Sequence, residues 1–224
     1  MNTLVNRILR RITGREYSIE TTDLIYIIEK GLTPLIRGFI WQCLKFQKPN
    51  GFMLGKNVRI LGARFLALGK GISIGSNSYI DCYSHEGIVL KNGVTIREGA
   101  WIQCRSGLNS KGQGLEIHNN TYIGPNAVIG VGGKVIIHSN VQAGAALTIS
   151  AESHELGDSS YVEGGTHRRG VVIEKNVWIG NNVTVLDGIH VGENSVIGAG
   201  SVVTKNIPPR SIAAGVPAKV IKQL

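Results

Sequence analysis

Apolar residues recur at every sixth position through the second half of the chain. Ile173, Ile179, Val185, Val191, Ile197 and Val203 keep this interval strictly, with glycine after Ile179, Val191 and Ile197. A second run, Ile117, Ile123, Ile129, Val135, Val141 and Leu147, has the same spacing, and the fourth place after each aliphatic is usually small or branched (Ala127, Ala145, Val183, Ser195, Ser201). Six residues is too long for a helical turn and does not match the two-residue alternation of a hairpin sheet. The pattern predicts one short strand and one turn per hexad, with the aliphatic residue pointing inward and the small fourth residue beside it. Gly180, Asn181, Asn182, Gly192 and Asn194 would then supply tight, positive-φ corners. Three such faces close a coil, and stacked coils bury a continuous apolar column that no single repeat can bury alone.

Upstream the beat continues in shifted phases: Leu54, Ile60, Leu66; then Leu68, Ile74, Ile80; then Leu90, Ile96, Ile102. Each jump marks an insertion or an irregular corner. The intervals from Ile102 to Ile117 and from Leu147 to Ile173 are not multiples of six, which places insertions over residues 103–116 and 150–170. The solenoid is expected over residues 54–224, preceded by an N-terminal helical segment over 1–53.

In that segment, Leu24, Ile28, Leu32, Leu35 and Phe39 stand at helical spacing and Pro34 is expected to kink or divide the run into one or two amphipathic helices. Glu29, Lys30, Arg37 and Lys45 argue against a spanning helix. The apolar face either packs on the solenoid end or a neighbouring subunit, or lies on anionic lipid helped by Arg7, Arg10, Arg11 and Arg15.

The 30 glycines among 224 residues suit a turn-dense solenoid, and the few aromatics suit a narrow column of Ile, Val, Leu and Ala. A net charge of +9 favours anionic partners, whether nucleic acid, lipid or a phosphate-bearing cofactor. No nucleic-acid motif is visible, which leaves nucleic acid out. Three scattered cysteines, Cys43, Cys82 and Cys104, make no disulfide framework, and no signal peptide is visible. The chain is therefore expected in the cytoplasm, with the inner face of the membrane as a candidate contact.

The chemistry concentrates in the second insertion. His154 stands where a regular strand gives way to a loop and is a candidate general base, with Glu152 and Glu155 as candidates to orient its ring or as solvated charges. His167, Arg168 and Arg169 form a cationic cluster that either grips an acidic group or is solvated, while His85, His118, His138 and His190 read as exposed corner residues. No two histidines stand at short ligand spacing, so no metal is expected. Near the C-terminus, Ala199, Gly200 and Ser201 either merely serve tight coils, with Lys205 and Lys222 solvated, or leave the coil surface open to a narrow ligand whose phosphates those lysines meet.

At these residues the chain resembles the left-handed β-helix, hexapeptide-repeat acyltransferases. Trp178 to Lys222 resembles the coenzyme A-binding end of the maltose and galactoside O-acetyltransferase branch, and the loop ending in Ser153-His154 resembles that family's catalytic-histidine loop. The overall plan is also similar to acetyltransferases of surface-polysaccharide synthesis. The resemblance implies an all-β, left-handed parallel β-helix with a short helical N-terminus, assembled as a homotrimer with active sites between neighbouring solenoids. It implies acetyl-CoA as co-substrate, His154 as the catalytic base, and cofactor contacts at Asn181, Ala199, Thr204, Lys205 and Lys222. The expected reaction is direct O-acetyl transfer to a hydroxyl of a sugar, glycan or polysaccharide precursor. N-acetyl transfer to an amino sugar-nucleotide or another small acceptor is the alternative, followed by a non-catalytic scaffold and a metal hydratase. Three departures bear on the match: Lys222 where the sugar acetyltransferases often have Arg, Asn181 where they have Ser, and Glu155 where they have Pro after the histidine.

Overall fold

A computed structural model describes residue 7 and residues 21–107, 109–160 and 164–224. Arg10, Arg11 and Arg15 of the expected lipid-facing cluster lie outside the described residues; Arg7 is exposed.

The hexads fold as a left-handed parallel β-helix. Among the described residues, three parallel sheets run along the column. The first begins with Met53–Leu54 and continues through Tyr122–Ile123 and Trp178–Ile179 to Ser211–Gly215, where Ala218–Gln223 closes it as an antiparallel strand. The second runs from Arg59–Leu61 to Val202–Val203, and the third from Leu66–Leu68 to His190–Val191. Each strand bonds the one directly above it, for example Ile179 over Ala143 and Ile197 over Ile179. The beat residues from Ile173 to Val203 are all fully buried in one apolar core.

The second run does not keep its expected phase. Register pairs Ile123 with Ala143 and Ile129 with Ile149, so Val141 and Leu147 are not the equivalents of those isoleucines. They occupy the corner rows otherwise filled by Thr121 and Ala127, as the bonds Tyr122 N–H to Val141 O and Val128 N–H to Leu147 O show. The cause lies on the third sheet, where four strands bury two residues each, such as Val135 with Ile137 and Val171 with Ile173. Both then belong to one strand, and the phase slips by two between Ile129 and Ala143, whereas the last run crosses the same face at Val191 without a slip. The earlier jump from Leu66 to Leu68 is the same effect within one strand, not an insertion. Ala145, expected in the column, sits at the turn before Leu147, partly exposed.

The corners also divide their work differently from expectation. Asn182 and Asn194 do take positive φ (55° and 58°), but Gly180, Asn181 and Gly192 are not among the positive-φ residues. Gly192 is needed for close stacking, because a Cβ there would lie 2.3 Å from the backbone nitrogen of Pro209 in the next coil. Above one another at one corner, Asn140, Asn176 and Asn194 link their side-chain amides at 3.1 and 3.0 Å.

Residues 21–44 form one continuous helical run. A π-helical segment, Ile28–Leu32, joins Thr21–Ile27 to Thr33–Leu44, and Pro34 is accommodated just after it. The face turned toward the solenoid is not the apolar stripe. Gly38 lies so close to Phe52 O that no side chain fits, Arg37 Nε donates to Leu54 O at 2.8 Å, and Gln42 bonds Asn50 at 2.9 Å. Met53 and Gly55 donate toward the second coil, so the carbonyls of Phe52 and Leu54 point to the opposite, open edge. The helix therefore covers the first coil's unpaired edge.

Of the histidines expected as exposed corner residues, His85 and His190 are exposed, whereas His118 and His138, each directly before a turn, are partly buried; His118, His138 and His190 join a ladder along the third face. His118 and His138 pack edge to face at 4.8 Å, Glu116 faces His118 at 3.4 Å, and His190 bonds Glu174 at 3.0 Å. Lys134 bonds both Glu116 and Glu86. Burial holds His118 below the usual imidazole range, opposed by its bond to Glu116, while the Lys134 hydrogen bond holds Glu116 below the usual carboxylate range.

Gly192→Ala should lower the melting temperature by the equivalent of about 1–3 kcal/mol, because the facing atom is backbone. Gly71→Ala, at φ 65° in open space, should lose only about 1 kcal/mol; equal losses would show that corner conformation rather than coil contact limits the stacking. Because the folded chain resists protonating His118, stability is fully present above the unfolded imidazole value of roughly 6.5 and declines as pH falls through and below it. Thermal unfolding between pH 8 and 5 should show that decline in the wild type and a shallower one in His118→Gln; identical slopes would mean that His118 does not set it.

Candidate active site

Both interruptions leave the solenoid at one corner, after strands of the second sheet. Trp101–Gln103 and Thr148–Ser150 flank Val128–Gly130 in that sheet. After the first, Arg105–Gly107 turns back antiparallel to Ser110–Lys111. After the second, Ser153–His154 pairs antiparallel with Thr166–His167, His154 opposite Thr166. Two coils apart in height, the hairpins meet through Arg168. Its guanidinium donates to Lys111 O at 3.1 Å and Ser110 Oγ at 2.5 Å, and its Nε lies 3.3 Å from the Glu152 carboxylate. Together they border a cavity of about 80 Å³ lined by Gln103, Cys104, Ser110, Val131, Glu152 and Arg168.

The cationic cluster of the second hairpin is thus largely used within the fold. His167 pairs with Glu155 and Arg168 with Glu152, so both candidate orienting carboxylates are engaged by other side chains. His154 is exposed, with Nδ1 3.3 Å from Thr166 Oγ1. Asp187, not singled out from the sequence, secures the base of the hairpin from the next coil. It accepts the Gly170 N–H at 2.8 Å and the Arg169 N–H at 3.2 Å, and Ser153 Oγ lies 3.5 Å away. An aspartate before a glycine at a turn, two residues after a beat position, is the signal that marks such a clamp.

Thr204 and Lys205 follow strand Val202–Val203 and stand, exposed, above the same corner as His154. Asn181 and Ala199 lie on the other edge of the second sheet, in successive coils joined by the Gly200 N–H to Asn181 O bond of 2.8 Å. Asn181 Oδ1 accepts the Ala145 N–H at 2.8 Å, so a ligand there would meet its NH₂ group, a donor. Lys222 is set apart from these, on the strand paired with Ile212 at the end of the first sheet. Ser201, expected at the open surface, is buried, its hydroxyl donating to Gly198 O at 2.6 Å. Among the described residues, no group of three or more His, Cys, Asp or Glu side chains is placed to hold a metal ion.

A family model described as bacterial transferase hexapeptide (six repeats) matches residues 170–205. The galactoside O-acetyltransferase of Escherichia coli (strain K12) is 36% identical over 139 residues, 62% of this chain and 68% of that enzyme. The galactoside O-acetyltransferase of Lactococcus lactis subsp. lactis (strain IL1403) is 33% identical over 129 residues, 58% of this chain and 62% of that enzyme. A solved galactoside acetyltransferase in complex with coenzyme A aligns at TM-score 0.47 and 36% identity over 58% of this chain and 64% of its own. The chain spans about two thirds of the length of these relatives. It belongs to the hexapeptide-repeat acetyltransferase family, the acetyl-CoA-dependent class of acyl-transfer enzymes.

Arg168→Ala should free the first hairpin from the second without unfolding the solenoid. Limited proteolysis should then cut within residues 105–111 at least about tenfold faster than in the wild type, with Arg168→Lys intermediate; an unchanged rate would show that the hairpins do not depend on each other. Burial pushes the Cys82 and Cys104 thiols up to about 12, while Cys43 is exposed. A thiol reagent at pH 8 should therefore modify one cysteine in the native protein and three after denaturation.

Proposed function

We propose that the chain transfers an acetyl group from acetyl-CoA to a hydroxyl of a sugar or glycan, with His154 as the general base. The carrying observation is the hairpin of Ser153–His154 and Thr166–His167, which leaves the His154 side chain exposed on the corner shared with Thr204 and Lys205. With the neutral ring protonated at Nδ1, which lies 3.3 Å from Thr166 Oγ1, Nε2 is the basic nitrogen. That nitrogen takes the acceptor's hydroxyl proton as the oxygen attacks the thioester carbonyl. The tetrahedral intermediate then collapses, the C–S bond breaks, and the imidazolium returns its proton to the departing CoA sulfur. No acyl-enzyme forms. Proton removal of this kind contributes roughly 10²- to 10⁴-fold.

In this reading CoA lies along the second sheet, its amide groups near Asn181 and Ala199 and its phosphates near Thr204 and Lys205. Lys222, standing on the first sheet, would meet only a part of the cofactor that wraps past the end of the column. A single sheet face is an open half of a cleft, and a homotrimer would supply the other half. Support for such packing comes from the outward residues of the second sheet, where Leu61, Trp101 and Val128 are exposed and Trp101 stacks on Tyr79 at 4.4 Å.

His154→Ala should lower kcat by at least about a hundredfold with acetyl-CoA affinity intact. Release of free CoA in the presence of sugar hydroxyl and amino-sugar acceptors is the measurement. Near-normal turnover of the variant would reject the base, and preference for the amine would reject O-transfer.

A further inference from the structure

The N-terminal helix turns Gly38, Gln42 and the ring of Trp41 to the solenoid and leaves most of its other apolar residues facing away. Ile36, Phe39 and Ile40 are 49%, 54% and 51% exposed, and Ile25, Ile28 and Leu32 extend the exposed apolar surface through the π-helical segment. Nothing in the described protomer covers this face. The helix and first coil carry a strong charge bias, with Lys30 also reaching Glu98 of a later coil at 3.7 Å. Residues 21–72 hold eight Lys or Arg against two Asp or Glu, whereas residues 73–224 hold twelve against eleven. The first coil, residues 53–72, has Lys56, Arg59, Arg64 and Lys70 and no acidic residue. These four side chains, with Lys45 and Lys48 at the helix end, are all exposed.

We infer that this end of the column is a docking surface for an anionic lipid bilayer, with the apolar helix face entering the headgroup region and the basic side chains meeting lipid phosphates. The charge distribution selects this occupant over a second copy of the chain. Joining two such ends would bring like-charged surfaces together, whereas an anionic leaflet attracts each of them. The helix lies on the first coil's open edge, so its far side points out of the stack. An exposed apolar face bordered by lysine and arginine is the pattern of an interfacial, non-spanning helix. Among the described residues no helix is long and apolar enough to cross a membrane. The inference stands independently of the transfer chemistry.

The test is co-sedimentation of the full chain with vesicles of phosphatidylcholine alone or with about 30% phosphatidylglycerol, at low and high salt. Binding should be at least about tenfold stronger to the anionic vesicles and weaken with salt. Ile36→Asp/Phe39→Asp and, separately, Lys45→Gln/Lys48→Gln/Lys56→Gln/Arg64→Gln should each reduce it about tenfold or more, with CoA-releasing turnover in solution and thermal unfolding unchanged. Failure to bind anionic vesicles, or equal binding to neutral ones, would overturn the inference. Dissociation of an oligomer by Ile36→Asp/Phe39→Asp would also overturn it, by giving the face to a second copy.

Discussion

Everything in this structure depends on strand lying over strand at the parallel-sheet spacing of about 4.8 Å. Each coil's backbone donors and acceptors are satisfied only by the coils above and below, so every position along the column must present a compatible shape at the same height. Gly192 meets Pro209 because of this requirement, and Asn140, Asn176 and Asn194 repeat a left-handed conformation at one corner because of it. It also explains the N-terminal helix, whose Arg37 satisfies an edge carbonyl that no further coil reaches.

A column so constrained has little freedom on its faces, and insertions are tolerated only where the chain turns. Both hairpins use the corner after the second sheet, and stacking brings them together although Ser110 and Arg168 are 58 residues apart in sequence. The solenoid thereby serves as a rigid ruler on which a chemistry-bearing loop is fixed at both legs. Glu152 and Asp187 hold those legs, one through Arg168 and one through backbone N–H groups. Under the proposed chemistry, this division between rigid frame and clamped loop keeps His154 in place while two substrates enter and leave.

The six-residue beat was readable because each period repeats one simple event, an aliphatic side chain entering the column. It misassigned Val141 and Leu147 because apolar periodicity does not distinguish a strand residue from the corner row two places before it. The helix shows the same weakness in another form. Hydrophobic spacing marks Leu24, Ile28, Leu32, Leu35 and Phe39 as one face without saying what it meets, and it does not single out Gly38, Trp41 and Gln42, which meet the solenoid. His154 stood out because the beat broke around it. Arg168 with Ser110, Asp187 with Gly170, and the ladder from Glu86 to His190 join positions far apart in the chain, and only the stacking register brings them together.

The central claim is that the corner holding His154 and the neighbouring face of the second sheet form one binding surface for the acetyl donor. Hydrogen exchange with and without acetyl-CoA measures this directly. The account predicts new protection at residues 181–186 and 199–205, together with residues 153–154, while the first coil is unchanged. Protection confined to residues 42–70, with the upper coils unaffected, would contradict it.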